Sequence, residues 1–428
     1  MGLRAAILST YPPRECGIGT FSFDVRSALL DVPGIDDVSS IAVVDEPSSR
    51  QRPDVLSTVS QEVRGDYARA ARLIGQLDID VVLLQHEFGI FGGIDGEYVL
   101  SFAQELAQPL VVTLHTVLSQ PSPHQLQVLT ALCDQSERVI VMTDTARRLL
   151  VEVGASAAEK IHVVPHGAPA VLGRRREEHA AARGPLDVAP TLGGYARIQS
   201  RFLLSTFGLL SAGKGLETVI KALPLIVTRH PKVLYMIAGR THPQVARREG
   251  EQYRLMLERL VVDLDLGDHV SFDDRFLSID ELADLLAITD VFVTPYRNRE
   301  QISSGSLTFA IAAGCAAVST PYRYAEDMLA SGAGQIVPFD DPQALAEAVC
   351  EFADQPDLLA TSCAEARRIG SRITWPSVAS ATANVLREAA TNAPPRTPFL
   401  PLVLPLVPTN IHASSSGEGW PLEVGRVA

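Results

Sequence analysis

The chain has 428 residues and a formal net charge of −13, with 46% hydrophobic and 20% charged residues. This length is too great for one ordinary core and suits two α/β domains of about 100–200 residues each. The acidic balance argues against nonspecific binding to nucleic acid or to an anionic membrane, although a local basic patch could still hold a phosphate.

The sequence has no run of about 18 apolar residues and no charged-then-apolar start of the signal-peptide type. We therefore expect a cytoplasmic protein that is not integral to a membrane. Five cysteines are scattered along the chain, and none forms a C-x-x-C pair. This odd, dispersed set predicts neither a disulfide framework nor a zinc site, and it favours a reducing compartment.

Short apolar, β-branched runs alternate with longer helical patterns in residues 1–170 and again in 201–373. The alternation predicts α/β architecture, with two doubly wound domains built on parallel sheets. In the first domain the predicted strands are Ala5–Leu8, Val81–Leu84, Leu110–Leu114, Val139–Met142 and Ile161–Val164. In the second they are Phe202–Phe207, Val233–Ile237, Val270–Phe272, Val291–Val293 and Ala316–Val318.

Three further segments depart from the alternation. Residues 171–200 are interpreted as an interdomain linker whose charged run, 174–178, forms a solvated surface. Three helical stretches follow residue 342, and the last opens at Thr374-Trp375-Pro376. The proline-rich segment 391–428 is predicted to be a disordered or docking tail.

A glycine pair, Gly17 and Gly19, stands where the first strand passes into a helix. Such a turn lets the backbone approach a phosphate and direct N–H groups at it, helped by the positive helix end. The spacing is not G-x-G-x-x-G, and for the pair alone a turn needed only for packing is an equally good interpretation.

The second domain opens with a similar loop that contains Gly208, Gly213 and Lys214. A mobile ammonium among backbone donors suits a pyrophosphate leaving group. The loop is not a P-loop, because Gly215 stands where a Ser or Thr would bind magnesium. An exposed surface lysine is the alternative, but the paired loop in the first domain favours phosphate binding.

Polar residues crowd the end of a later second-domain strand and precede a helical run. Ligands of open α/β sheets bind at the carboxyl ends of strands, so these residues are candidates for donor binding. A serine N-cap is the simpler interpretation, and both can hold together. The candidates are Arg297, Gln301, Ser303, Ser304 and Gly305.

Two histidines, His86 and His115, end neighbouring first-domain strands and are expected to face one cleft. We predict a substrate contact for His115, whereas a substrate role for His86 stays open. Glu87 is a candidate general base without a visible partner carboxylate.

A second-domain strand is followed by Arg240 and His242. These two residues are candidates for contact with a nucleotide or an acceptor. Arg254, further along, is expected on the wet face of a long helix.

In their order and spacing these residues resemble the family 4 retaining glycosyltransferases, which have the GT-B architecture of two facing Rossmann-like domains. The resemblance spans residues 4–390. Its carriers are the Gly17-Ile18-Gly19 loop, His115-Thr116 and the stretches 163–167, 208–215, 238–240 and 301–314.

The resemblance implies that the first glycine loop and Lys214 face a donor diphosphate, that His115 lies near the transferred sugar, and that Ser303–Gly305 donate backbone hydrogen bonds. It also implies that a helix at about 374–390 returns to brace the first domain. No metal and no cofactor are expected. Leu209 replaces an arginine usual in the family, and Arg297 is the candidate to supplement Lys214.

A second departure concerns two family glutamates that hold the donor sugar and the ribose. Counting back from Gly314 places them at Gln301 and Phe309, whereas counting from Glu300 reaches Thr308. Glutamine can hydrogen-bond sugar hydroxyls, but phenylalanine cannot hold a ribose diol. We prefer the Gln301 register and predict a divergent subgroup.

The resulting expectation is metal-independent, retaining transfer of a hexose from a UDP-, GDP- or ADP-sugar to an unknown glycan, lipid or small-molecule acceptor. Two alternatives stay open: another GT-B enzyme, such as an epimerase or phosphorylase, and a noncatalytic nucleotide-sugar-binding protein, motivated by Leu209 and Phe309. A Rossmann dehydrogenase fits less well, because no G-x-G-x-x-G with a ribose-binding acid follows the first strand.

Overall fold

The computed structural model describes residues 2–14, 16–45, 52–181 and 201–392, which form two parallel sheets flanked by helices. The first sheet contains β1 (Leu3–Thr10), β2 (Ile35–Val44), β3 (Val55–Ser60), β4 (Val81–His86), β5 (Leu110–Leu114), β6 (Arg138–Val141) and β7 (Ile161–Val163). The second contains β8 (Phe202–Phe207), β9 (Val233–Ala238), β10 (Val270–Asp273), β11 (Val291–Thr294), β12 (Ala316–Ser319) and β13 (Gly334–Ile336).

The strand orders are β3-β2-β1-β4-β5-β6-β7 and β10-β9-β8-β11-β12-β13. Each sheet therefore reverses its winding once, between β1 and β4 in the first and between β8 and β11 in the second. Such switch points open a crevice at the carboxyl ends of the strands. The predicted fold class, two doubly wound α/β domains, is confirmed.

Helices cover both faces of each sheet. In the first half they are α1 (Gly17–Leu30), α2 (Arg64–Ile74), α3 (Val99–Glu105), α4 (Pro123–Asp134), α5 (Asp144–Glu152) and α6 (Val171–Ala181). In the second half they are α7 (Leu216–Arg229), α8 (Pro243–Glu249), α9 (Gln252–Asp263), α10 (Ile279–Ile288), α11 (Gly305–Ala312), α12 (Arg323–Leu329), α13 (Pro342–Asp354), α14 (Pro356–Gly370) and α15 (Trp375–Asn392).

The central strands are buried on both faces. In β1, Ala5 and Ile7 belong to one hydrophobic core, whereas Ala6 and Leu8 belong to the core on the opposite face. A strand covered on both sides gains from an apolar side chain at every position, which explains its unbroken apolar run.

The predicted linker begins with a helix that packs on the second domain. Arg176, on α6, donates from Nη1 to the carbonyls of Leu286 and Thr289, each at 2.7 Å, and so satisfies groups at the end of α10. Arg175 pairs with Asp284 at 3.1 Å. We expected this charged run to be solvated, but two of its arginines fasten the helix. Residues 182–200 lie outside the described part of the chain.

The chain passes between the domains twice, and the two passages lie side by side. Ala168 forms a parallel bridge with Thr374. A Cβ at Gly167 would stand 2.2 Å from the Trp375 ring, so only glycine fits this crossing. Helix α15 then packs on α1, and Arg387 donates to the Pro33 carbonyl at 2.6 Å. The predicted tail lies outside the described residues from 393 onward.

Candidate active site

The carboxyl ends of the two sheets meet across a cleft and touch directly. The Ser303 hydroxyl donates to the His115 carbonyl at 3.1 Å, and the Ser119 N–H donates to the Glu300 carboxylate at 2.7 Å. Both contacts join a first-domain loop to the segment that precedes α11. Two of the polar strand ends singled out in the sequence, at His115 and at Ser303, are therefore in direct contact.

The first glycine loop leads from β1 into α1. Cys16 caps this helix, because its Sγ accepts from the Gly19 N–H at 3.2 Å and lies 3.0 Å from the Thr10 hydroxyl oxygen. A Cβ at Gly17 would have no neighbour within 4 Å. The Gly19 N–H is therefore engaged by the thiol, and the open space needed by a ligand lies at Gly17.

The second glycine loop holds Lys214 in a short 3₁₀ turn after β8. The Lys214 ammonium lies 4.0 Å from the centre of the buried Tyr296 ring, a cation–π geometry. Within the described residues it forms no salt bridge, so its charge stays available to an anion. Gly208 has φ of 125° and passes closely over Gly239, as only glycines allow.

Arg297 supports this loop rather than offering a free charge. Its guanidinium pairs with Glu217 and Asp340, each at 2.9 Å, and the Arg297 backbone N–H donates to the Gly213 carbonyl at 3.0 Å. Two carboxylates balance one cation here. The predicted supplement to Lys214 is therefore near the lysine but already neutralised.

The start of α11 faces the first domain. Ser304 is its N-cap, accepting from the Leu307 N–H at 3.3 Å, as the simpler interpretation required. Gln301 donates to the Ser303 carbonyl at 3.0 Å. A Cβ at Gly305 would lie 3.4 Å from Nε2 of His166, so the helix start approaches this histidine closely.

Three histidines are buried on the first-domain side of the site, and burial keeps their rings neutral. It lowers the pKa of His115 to about 3, helped by repulsion from the other two rings, and lowers the pKa values of His86 and His166 to about 4. His166 was quoted in the family resemblance but not assigned to the site. The sequence feature that could have indicated a site role for His166 was its position before a glycine at the end of a strand.

The rings of His86 and His115 do not share one pocket as expected. His115 sets its ring edge-on to Phe21 at 4.8 Å between ring centres, whereas His86 stacks on Phe91 in the opposite core. Both ring nitrogens of His86 lack a partner among the described residues. Of these two residues, His115 is the one whose backbone carbonyl accepts a hydrogen bond from the second domain.

Glu87 lies beside His115 at the same sheet edge. Its carboxylate accepts from the Thr116 hydroxyl at 2.5 Å and from the Phe88 N–H at 3.0 Å. Burial raises the pKa of Glu87 to about 7, outweighing the lowering by these hydrogen bonds. A carboxyl with this pKa is suited to exchange protons near neutral pH.

The second-domain candidates Arg240 and His242 lie beyond β9. His242 caps α8, accepting from the Gln244 N–H at 3.2 Å, and burial together with the nearby charge of Lys214 lowers its pKa. The Arg240 guanidinium lies 5.9 Å from the centre of the Phe276 ring. The expectation for Arg254 is wrong: this side chain is buried and donates to the Gly239 carbonyl, which stabilises the crossing at Gly208.

Phe309 and Thr308, the positions that the two counts reach, lie in different surroundings. Phe309 contacts His166 of the first domain, with ring centres 6.2 Å apart, and stacks on Phe207. Thr308 instead lies in the domain interior, 2.6 Å from the Tyr324 hydroxyl. The residue at the cleft is therefore aromatic.

Two family models match the chain in succession: Glycosyltransferase Family 4 over residues 34–170 and Glycosyl transferases group 1 over residues 197–369. A sucrose-phosphate synthase from Thermosynechococcus elongatus has a similar fold, with a TM-score of 0.70 and 18% identity over 91% of this chain and all of that one. The structure of an Anabaena protein in complex with UDP and glucose is also similar, with a TM-score of 0.65 and 17% identity over 90% of this chain and 99% of that one.

The fold is that of the GT-B class of glycosyltransferases. Within that class, the chain belongs to glycosyltransferase family 4.

Curated relatives include the phosphatidyl-myo-inositol mannosyltransferase of Mycolicibacterium smegmatis, 28% identical over 67% of this chain and 66% of the relative. A D-inositol 3-phosphate glycosyltransferase of Thermobispora bispora is 26% identical over 66% of this chain and 65% of the relative. The chain therefore matches just under two thirds of the length of these relatives. In the described ranges, no helix is both long and apolar enough to cross a membrane.

Proposed function

We propose that this protein transfers a hexosyl group from a nucleotide-sugar donor to an acceptor hydroxyl, without a metal and with retention of anomeric configuration. The observation that carries the proposal is that Lys214 contacts Tyr296, whose hydroxyl bonds to Ser306 in the first turn of α11, while Ser303 just before this helix bonds to His115. Family membership supports transfer, and the UDP and UDP-glucose complexes of the Anabaena neighbour support a nucleotide-sugar donor.

In this proposal the diphosphate lies between the Gly17 end of α1 and Lys214. The ammonium stabilises the charge that grows on the diphosphate as the sugar–oxygen bond breaks, and the N–H groups at the start of α11 add to this stabilisation. His115 is neutral, so it can hydrogen-bond a sugar hydroxyl without repelling the positive charge that develops at the anomeric carbon.

No side-chain nucleophile is needed. As the acceptor oxygen bonds to the anomeric carbon, its proton passes to the departing diphosphate oxygen on the same face of the sugar, which gives retention. Contacts between the domains around the donor exclude water and suppress hydrolysis. In this proposal Glu87, with its pKa near 7, accepts a hydrogen bond from an acceptor hydroxyl. The free thiols of all five cysteines are consistent with action in the reducing cytoplasm.

The first test is thermal denaturation with UDP-, GDP- and ADP-sugars, because a ligand that binds only the folded state raises Tm. We expect one nucleotide class to stabilise the wild type, and Lys214→Ala to weaken its binding about tenfold. Lys221→Ala, an exposed lysine on α7, is the matched control and should retain the shift. Equal shifts in all three proteins would remove Lys214 from the site.

Turnover is tested by acceptor-dependent release of free nucleotide, with and without EDTA, and by NMR of the product's anomeric centre. An inverted product or a requirement for added metal would overturn the corresponding part of the proposal.

A noncatalytic nucleotide-sugar-binding protein is the second candidate, and Phe309 at the cleft is the observation that favours it. Donor-dependent stabilisation without nucleotide release, across a panel of acceptors, would decide for this role.

A further inference from the structure

Gln85 is a fully buried polar residue that follows four apolar residues of β4, one position before the end of this strand. Its Oε1 lies 2.9 Å from Nε2 of His115, at the end of the neighbouring strand. Its own Nε2 has no partner among the described residues, and Gln85 borders a cavity of ≈ 10 Å³ together with Thr113 and Thr382. A buried amide is costly in a core, so its single bond to His115 is the feature to explain.

The other contacts of His115 fix where the ring lies but not where its proton lies. The backbone N–H donates to the His86 carbonyl at 2.9 Å, the carbonyl accepts from Ser303, and the ring edge rests on Phe21. None of these groups bonds to a ring nitrogen. A neutral imidazole has two tautomers, and the partner of one nitrogen selects between them.

We propose that Gln85 is a positioning residue that holds His115 in the tautomer with its proton on Nε2. An amide oxygen only accepts, so Nε2–H donates to it and Nδ1 keeps its lone pair. Nδ1 is then the nitrogen that accepts a hydrogen bond from a hydroxyl of the transferred sugar. This last step rests on the proposed function, whereas the tautomer itself does not.

The test combines NMR and kinetics on the full-length protein. Nitrogen-15 spectra of histidine-labelled protein report which ring nitrogen is protonated, and a His115→Asn variant identifies the His115 signals. The variants are Gln85→Leu, which removes the acceptor, and Gln85→Glu, which retains one. Thr113→Val is the matched control, since it replaces another polar side chain that lines the same cavity.

We expect protonated Nε2 in the wild type, in Gln85→Glu and in Thr113→Val, and a mixture of tautomers in Gln85→Leu. The kcat of Gln85→Leu should fall about five- to tenfold with little change in the donor KM, and Gln85→Glu should restore most of it. Protonated Nδ1 in the wild type, or one unchanged tautomer in Gln85→Leu, would overturn the inference. Absence of transfer by the wild type would instead refute the proposed function and leave the NMR result to decide on Gln85.

Discussion

At the end of β4 the chain buries a carboxyl group beside neutral imidazoles, with few groups to compensate it. Glu87 is only 8% exposed and has one hydroxyl and backbone N–H groups as partners. Because its folded-state pKa is raised from 4.5 to about 7, folding takes up a proton between these values. The contribution of this group to stability therefore falls as pH rises through that window.

Replacing Glu87 by glutamine should remove this pH-dependent cost. We expect the free energy of unfolding of Glu87→Gln, relative to that of the wild type, to increase by roughly 3 kcal/mol as pH rises from about 4.5 to about 7. Above that range the difference should stay constant. Urea unfolding at a series of pH values measures the difference. Glu62→Gln, at an exposed position, should show no such trend. A constant difference for Glu87→Gln would mean that the carboxyl stays ionised throughout.

The sequence identified residues that end strands but not the residues that support them. Lys214 and the Ser303–Gly305 segment were recognisable because glycine and serine between a strand and a helix indicate a turn with free N–H groups. Gln85 was hidden inside an apolar strand, and its importance depends on a neighbour 30 positions away. Arg254 was misjudged because helical periodicity cannot show that a carbonyl across the loop accepts from its side chain.

Among the helices, α6 illustrates how an apparently polar segment can be structural. Residues 174–178 of this helix are all charged, and Leu172 is its one buried hydrophobic residue. Its attachment comes from Arg176, which reaches two carbonyl groups and the sulfur atoms of Cys315 and Cys363. The helix is therefore held by hydrogen bonds rather than by an apolar stripe.

Arg176→Leu should destabilise the protein by about 2–3 kcal/mol, because it leaves the carbonyls of Leu286 and Thr289 without their donor. Urea unfolding measures the loss. The control is Arg174→Leu on the same helix, where the side chain is exposed and the change should stay within about 0.5 kcal/mol. Similar losses in the two variants would indicate a general effect of charge on α6.

Most strands, including the edge strands β7 and β10, were predictable, whereas three others were not. Those found from the sequence are apolar at almost every position, as burial on both faces requires. The pattern missed β2, β3 and β13. Strand β2 contains Asp36 and Asp37, and β3 contains the polar residues Ser57 and Thr58. Strand β13 has only three residues. Their hydrophobicity or their length therefore did not distinguish these strands from loops.

At the scale of the whole molecule, several polar contacts among the described residues join the two domains at the carboxyl ends of their sheets. Besides the bonds of Ser119 and Ser303, Thr145 donates to Asp327 at 2.7 Å. The Glu300 carboxylate also accepts from Arg323, and these hydrogen bonds lower its pKa against the raising effect of burial. Glu300 is thus ionised at neutral pH and joins both domains.

Glu300→Ala should loosen this arrangement. We expect a larger radius of gyration by small-angle X-ray scattering, and a transfer rate about five- to tenfold lower with proportionally more donor hydrolysis, since water gains access to the cleft. Glu326→Ala removes an exposed partner of Arg299 on the same side and serves as the control. An unchanged radius with an unchanged ratio of hydrolysis to transfer would show that Glu300 does not hold the domains together.

Because the chain passes between the domains at both Ala168 and Thr374, the two domains differ in whether each can be separated as a complete fragment. The second domain is one uninterrupted segment, inserted into a first domain that is completed only when α15 returns to cover α1. A fragment that stops before Trp375 would leave the apolar side of α1 and the Phe21 ring without their cover. A fragment that starts with α6 and ends near residue 373 would keep its sheet intact. The first domain therefore depends on synthesis of nearly the whole described chain, whereas the second domain can form earlier, before the last helix has left the ribosome.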